Sequence, residues 1–336
     1  MTAVIKIATI NINGITSRTR VGMLVDYIRR HELDIVLIQE ITNTGLLNIP
    51  GYETYYNVGS QMRGKAIMAR SDIILTHISR VPTGRAIAAE YKGLHIVNIY
   101  APSGTAQRKE QEQFYNTELQ QILQNRLGDI VIGGDFNCVT APADMTGRYN
   151  ASRTLTEMIC GLKLTNTWTQ NPNRPRYTHY SPAGASRIDR IYVSSEVISR
   201  KTGIEILPAA FTDHNAVVLR LAISERRERQ GRARWKMNPV LLKNDELITQ
   251  LRQLWKKWQR LKSWYPITNI WWDRYVKRQL QLFIRRWEAD LRREHKEMED
   301  HIYRCIYDIQ QNDMPPESKL AAQNRHKAKL IRLQNR

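Results

Sequence analysis

Short β-branched runs separated by turn residues fill the first two-thirds of the chain, and longer stretches with helical spacing fill the rest. Val4–Ile10, Asp34–Ile38, Ala66–Ala69, Ile73–Ile78, Ala86–Glu90, Leu94–Ile99, Ile130–Ile132, Arg187–Val193 and Ala216–Ile223 all read as strands. The apolar period lengthens to that of a helix at Gly22–Arg30, Gln107–Leu127 and Ser152–Gly161, with Thr105 and Ser152 placed as N-caps for the second and third. Many strands with few inserted helices predict an α/β protein of two sheets packed as a sandwich, helices outside. A doubly wound parallel sheet needs more regular alternation.

The texture changes at Glu225-Arg-Arg-Glu-Arg-Gln-Gly-Arg-Ala-Arg234, which is polar, charged and aperiodic and reads as an exposed linker. It divides the chain into a strand-rich domain, 1–224, and a helical region, 225–336. In the latter, Asn238-Pro239 is placed to cap a helix through Arg260, with Leu242, Leu247, Leu251, Leu254 and Trp258 on one apolar stripe. Pro266 breaks it. A second helix is expected from Asn269 to Gln311, carrying Trp272, Val276, Leu280, Phe283, Trp287, Leu291 and Met298; Pro315-Pro316 stops it before a basic tail, Arg325–Arg332.

Charge changes the picture. Of 336 residues, 51 are Lys or Arg and 32 are Asp or Glu, a net charge of +19. Such a field attracts a polyanion, and nucleic acid fits better than a membrane because no apolar run approaches the ~20 residues that span a bilayer. The excess divides as roughly +6 on 1–224 and roughly +13 on 225–336. Tryptophan divides the same way, with only Trp168 before the linker and seven after it. That stripe suits helix packing, or base stacking and cation–π contact with DNA or RNA. The N-terminus runs directly into a strand without a secretory pattern, so an intracellular protein, nuclear or cytoplasmic, is expected. Three cysteines without zinc spacing, and odd in number, predict neither a disulfide framework nor a disulfide-linked partner.

Polar residues cluster where the predicted strands end. Asn11 and Asn13 follow the first strand, with Gly14 permitting a tight turn; such turns also form for purely local reasons. Glu40 closes the buried run Leu33–Gln39, where it either ligates a hard divalent cation or marks the strand's exit to solvent. In Gly133-Gly134-Asp135-Phe136-Asn137, Asp135 and Asn137 share one side of an extended stretch, as an acid to move a proton and an amide for a phosphate oxygen. The alternative there is a hairpin turn. Asp189 and His214 each sit beside a strand, and a carboxylate against an imidazole fixes its tautomer and favours its charged form. Asp213 is a further carboxylate available to metal.

Order and context together resemble the endonuclease/exonuclease/phosphatase family over about residues 4–223. Within it, Ala8-Thr-Ile-Asn-Ile-Asn-Gly14, Asn98-Ile-Tyr-Ala-Pro102, Tyr177-Thr178 and Thr212-Asp213-His214 look like the nicking domains of LINE-type retrotransposons. The resemblance implies a DNase I-like four-layer sandwich and a DNA endonuclease that leaves a 3′-hydroxyl. It implies Glu40 as the main Mg²⁺ ligand with Asn11 nearby, Asp213 supporting either the metal or the Asp189–His214 pair, and Mn²⁺ substituting. It implies Asp135 positioning or deprotonating the attacking water, Asn137 and Tyr100 on the scissile phosphate, Asp189 paired with His214, and Thr178 in a supporting hydrogen bond. Ser103, Arg148, Arg187, Arg232, Arg234 and Lys236 are the expected nucleic-acid contacts. Three positions depart from the pattern: Asn13 stands where repair enzymes carry Asp, Ser103 where Asn is usual, and Thr212 where Ser is common. Arg234-Trp235-Lys236-Met-Asn238, followed by Leu242-Lys-Asn-Asp245, resembles the linker that precedes the reverse transcriptase in these polyproteins. An abasic-site repair endonuclease and a non-catalytic nucleic-acid-binding protein are the competing readings.

Overall fold

The structure is a computed structural model that describes residues 2–42, 44–59, 64–123, 128–146, 151–168, 177–182, 184–224, 237, 239–312 and 314–334. Its strands are β1 (Thr2–Asn11), β2 (Ile35–Ile41), β3 (Tyr52–Asn57), β4 (Gly64–Arg70), β5 (Thr76–Arg80), β6 (Ala86–Tyr91), β7 (Leu94–Tyr100), β8 (Asp129–Asp135), β9 (Thr165–Asn166), β10 (His179–Ser181), β11 (Gly184–Ser186), β12 (Asp189–Val193), β13 (Lys201–Pro208) and β14 (Asn215–Ser224). Its helices are α1 (Arg18–Arg30), α2 (Arg108–Gln113), α3 (Gln120–Leu123), α4 (Arg153–Gly161), α5 (Ser195–Ile198), α6 (Asp245–Arg260), α7 (Thr268–Ile270), α8 (Lys277–Gln311) and α9 (Pro316–Gln334).

Among the described residues, two six-stranded sheets run in the orders β13-β14-β1-β2-β4-β3 and β5-β6-β7-β8-β12-β9. The two-residue period of the strands sorts their side chains between layers. On β1, Ile5 and Ile7 join Leu37 of β2 and Val131 and Ile191 of the other sheet in a core between the sheets. Ala8 and Ile10 instead meet Leu24, Tyr27 and Ile28 of α1 on the outer face. The outer face of the second sheet packs Val97, Ile99 and Ile132 against Phe114, Leu119, Leu155 and Met158 of the helices. The result is the four-layer α/β sandwich expected from the sequence.

Each sheet contains one parallel pair, β1 with β2 and β7 with β8, and each pair is joined by a helical crossover. The remaining pairs in both sheets are antiparallel. Parallel strands deliver their ends, and antiparallel neighbours their beginnings, to one edge. Asn11, Gln39, Tyr100 and Asp135 therefore share an edge with Asp189 and His214.

Several elements differ from expectation. The helix expected over 107–127 is broken: α2 gives way to a π-helical turn over Phe114–Leu119 and then α3, while residues 124–127 lie outside the described residues. Gln107 rather than Thr105 occupies the cap position of α2, and it makes no side-chain cap bond. Ser152 does cap α4, its hydroxyl accepting from the Leu155 amide. The helix expected from Asn238 begins at α6, because the Asn244 side chain accepts from the Leu247 amide and takes the cap; Pro239–Lys243 form a 3₁₀ turn instead. The basic tail is helical as α9.

The chain forms two compact units, residues 1–225 with 302–336, and residues 226–301. Residues 302–336, placed with the basic helical region by the sequence reading, thus belong to the first unit. The physical reason is apolar: Ile302, Tyr303, Ile306, Leu330 and Leu333 are buried in the cluster built around α1 and the outer face of the first sheet. In the second unit Trp258 and Trp271 form a small core with Val276, and the Trp271 indole donates to the Trp258 carbonyl at 3.2 Å. Trp264 is exposed. No helix among the described residues is long and apolar enough to cross a membrane. Cys138 is buried, Cys160 exposed and Cys305 half-buried.

Candidate active site

The shared strand edge gathers the polar side chains into one cluster. Asn11, fully buried at the end of β1, donates from Nδ2 to Glu40 Oε1 at 2.9 Å and to Asp135 Oδ2 at 2.9 Å, joining the two sheets. Glu40 lies where the β2–β4 register slips between Ile38 and Ile41, and its φ is +59°. A bulge re-aims a side chain in this way, and a non-glycine residue at positive φ carries strain that its surroundings must hold. Among the described residues seven non-glycine positions have positive φ, and three of them, Asn13, Glu40 and Asn137, are in this cluster.

Asp135 is buried on β8 directly across from both Tyr100 and Asp189. Gly134 makes its approach possible, since a Cβ there would meet the Ile99 carbonyl oxygen at 2.1 Å. The other oxygen of Asp135 accepts the Asn137 amide at 2.9 Å, and the Asn137 side chain donates to the Ala101 carbonyl at 2.8 Å. Burial and then the neighbouring Asp189 charge push the Asp135 carboxyl up to about 6, against the pull of His214 and the Asn11 hydrogen bond.

Asp189 Oδ2 lies 2.9 Å from His214 Nδ1, both groups buried. Burial alone would lower the imidazole pKa, but the Asp189 carboxylate, joined by the Asp135 and Asp213 charges, outweighs it and holds His214 up at about 9, so the ring is an imidazolium at neutral pH. Thr178 Oγ1 accepts the Ile188 and Asp189 amides at 3.1 Å and so fixes the start of β12. The Thr212 hydroxyl donates to the Asn11 carbonyl at 2.9 Å, tying the loop before β14 to β1. Asp213 accepts from Asn13 Nδ2 at 3.0 Å. Burial would raise the Asp213 carboxyl, yet the hydrogen bond from His179 and the His214 charge hold it well below the usual carboxylate range.

Tyr100 ends β7 half-buried, its hydroxyl held far above its ordinary pKa by burial and by the Glu40 and Asp135 charges, so it remains a donor. Ser103 is exposed just beyond. Arg187 is turned inward: Nε and Nη2 both reach Asp144 Oδ1, at 3.1 and 2.7 Å, in a buried ion pair that withdraws it from solvent and from a nucleic-acid contact. Its partner Asp144 lies in a distant loop that the sequence did not link to it. Arg148, Arg232, Arg234 and Lys236 lie outside the described residues.

Two residues were missed by sequence reasoning. His179 packs against His214, the rings tilted by 43° with centroids 4.7 Å apart, and has Nε2 3.6 Å from Asp213. Lys65, fully buried at the start of β4, has Nζ 4.9 Å from the centroid of the Tyr100 ring. Burial and then Arg85 push the Lys65 ammonium down to about 7, against the pull of Glu40. The only signal for it was a lysine opening an otherwise apolar strand, Lys65-Ala-Ile-Met-Ala69. Among the described residues, two groups bring three possible metal ligands together, His179 with Asp213 and His214, and Asp135 with Asp189 and His214, the donor atoms of each within 4.8 Å of one another; His214 could ligate only after losing its proton.

The arrangement combines carboxylates to bind a cation or take a proton, a buried imidazolium, and amide and phenol donors, as hydrolysis of a phosphate ester requires. Comparison with known proteins agrees. The uncharacterized 149 kDa protein of transposon TX1 from Xenopus laevis is 25% identical over 296 residues, 80% of this chain and 22% of its own length. Craniofacial development protein 2 of Bos taurus is 29% identical over 186 residues, 49% of this chain and 31% of its own. The chain therefore spans less than a third of either relative. An AP endonuclease from Archaeoglobus fulgidus has a similar fold, with 20% identity, a TM-score of 0.54, and coverage of 64% of this chain and 98% of that one. The 3′-5′ exonuclease NExo of Neisseria meningitidis is alike at 22% identity and a TM-score of 0.55, with the same coverage. At these identities the two structures establish the sandwich fold alone, while the transposon relative is of the kind that the retrotransposon-like motifs imply. The Endonuclease/Exonuclease/phosphatase family pattern matches residues 8–214, most of the chain and every side chain of the cluster, so this chain belongs to the Endonuclease/Exonuclease/phosphatase family.

Proposed function

We propose that the chain is the Mg²⁺-dependent endonuclease of a LINE-type retrotransposon, nicking DNA to leave a 3′-hydroxyl. The observation that carries this reading is the Asn11 amide held between Glu40 and Asp135, with the Asp189–His214 pair beside Asp135. It separates a cation-binding carboxylate from a proton-handling one within a single buried network.

Glu40, with Asn11 and Asp213, would hold the metal; all three offer oxygen, the donor a hard cation prefers. Bound there, Mg²⁺ supplies positive charge to a phosphate oxygen. Asp135, ionised above its raised pKa, accepts a proton from the attacking water. The water oxygen bonds to phosphorus as the P–O3′ bond breaks, and the leaving 3′-oxygen takes up a proton from a solvent water to become the hydroxyl. The imidazolium of His214, the second N–H of the Asn137 amide and the Tyr100 hydroxyl stabilise the charge on the non-bridging oxygens. DNA as substrate is supported by the family membership, by the net charge of +19, and by the related fold of a Neisseria 3′ phosphatase bound to a product DNA hairpin.

The test is supercoiled plasmid incubated with purified protein and Mg²⁺, Mn²⁺ or chelator, followed by extension of the nicks with a DNA polymerase. The expected result is metal-dependent nicking at ends the polymerase extends. Absence of nicking with either metal, or ends that resist extension, would refute the proposal.

A further inference from the structure

Lys65 has no part in the chemistry described so far, and its position is costly. The strand residues that follow it, Ala66, Ile67, Met68 and Ala69, are buried and apolar, and Lys65 itself is 0% exposed. A second cation, Arg85, is 2% exposed and bonded through Nη2 to Glu110. Taking an ammonium out of water is unfavourable, and replacing a buried charge by an apolar residue of similar volume is commonly neutral or stabilising. Packing gives no reason for a lysine here.

Its surroundings do. Nζ stands over the face of the Tyr100 ring at 4.9 Å from the centroid, a cation–π contact in a desolvated setting. Tyr100 lies directly across from Asp135 in the β7–β8 register, and the Arg85 carbonyl accepts the Tyr100 amide at 2.9 Å. Lys65 therefore holds the face of a ring whose backbone is tied to Arg85 and whose hydroxyl serves the phosphate.

We propose that Lys65 is a positioning residue of the nuclease site, its ammonium clamping the Tyr100 ring whose hydroxyl serves the substrate phosphate. This rests on the function proposed above.

Four variants test it: Lys65→Met, Lys65→Arg, Tyr100→Leu, and Lys65→Met combined with Tyr100→Leu, with Asp135→Ala as the inactive control. Thermal midpoint and the steady-state kcat and KM of plasmid nicking in Mg²⁺ are measured for each. Lys65→Met is expected to keep or raise the midpoint and to lose roughly 10-fold in kcat/KM. Lys65→Arg, which keeps the charge, should retain more activity than Lys65→Met. The double variant should be no worse than Tyr100→Leu, since the lysine acts through that ring. A folded Lys65→Met protein with wild-type kcat/KM overturns the inference, as do losses that multiply in the double variant. Failure of Lys65→Met to fold makes the lysine structural and overturns it too. If the wild-type protein does not nick, the functional reading falls and this inference with it; if the wild type nicks and Lys65→Met matches it, only this inference falls.

Discussion

At the scale of single residues, the Asn11 amide lies 2.9 Å from a carboxylate oxygen on each side, which keeps two like charges at fixed places in a buried setting. The groups around it act as a unit, so removing one should cost nearly what removing several does. Glu40→Gln, Asp135→Ala and His214→Ala are each expected to lower plasmid nicking at least ~10²-fold while circular dichroism stays that of the native fold. A folded Asp135→Ala protein that nicks normally removes the assigned proton acceptor. The pH profile follows from the same groups. Asp135 must be ionised to accept a proton and its carboxyl is pushed up to about 6, so kcat/KM rises with pH through that region. His214 keeps its proton up to about 9, so activity falls when the imidazolium is lost above it. Asp135, Asn137, Glu40, Asp189 and His214 were legible because each stands at the end or beginning of a hydrophobic run, and sheets collect such positions at one edge. His179 and Lys65 were not, because their meaning lies in rings supplied by strands remote in sequence.

At the scale of elements, the π turn over Phe114–Leu119 carries Tyr115, whose hydroxyl donates to the Phe136 carbonyl at 2.5 Å. That bond braces the loop holding Asp135 and Asn137. Tyr115→Phe strands a buried carbonyl and should cost on the order of 1–3 kcal/mol in urea unfolding, with a drop in nicking. An unchanged unfolding midpoint would show that the loop is held by other means. The helix of 107–127 was misread because an apolar period fitted to 3.6 residues does not register an i→i+5 turn. The edge strand β3, Tyr52-Glu-Thr-Tyr-Tyr-Asn57, escaped notice because its side chains are mostly half-exposed and aromatic rather than a β-branched run. By contrast β1, β7 and β14, with long apolar runs, were clear.

At the scale of the molecule, the concentration of charge after residue 224 was legible, but the docking of its last 35 residues on the first unit was not. An amphipathic stretch states that it has an apolar face, never which surface it will meet. The two facts separate in a chain ending at Ser224. Removing the segment takes away roughly +13 of charge, so DNA binding should weaken and the slope of log affinity against log salt should flatten. It also uncovers the cluster that Ile306 and Leu330 help to close, so the thermal midpoint should fall by several degrees. Equal salt slopes for the two chains would assign the basic helices to packing or to a protein partner. An equal midpoint would show that the helices add nothing to the sandwich.

The pairing of β1 with β14 also sets a clock. Thr2 lies opposite Ser224, and Asn13 bonds to Asp213, 200 residues away. During synthesis Asn11 and Glu40 leave the ribosome first, and the chain must grow for roughly 10–40 s at ordinary elongation rates before Asp213 and His214 can join them. Until then β1 lacks its antiparallel neighbour and the buried imidazolium does not exist. A half-made chain, or one cut short by a stop codon before residue 214, therefore lacks the Asp189–His214 pair, and the cluster is completed all at once when the sandwich has been fully translated.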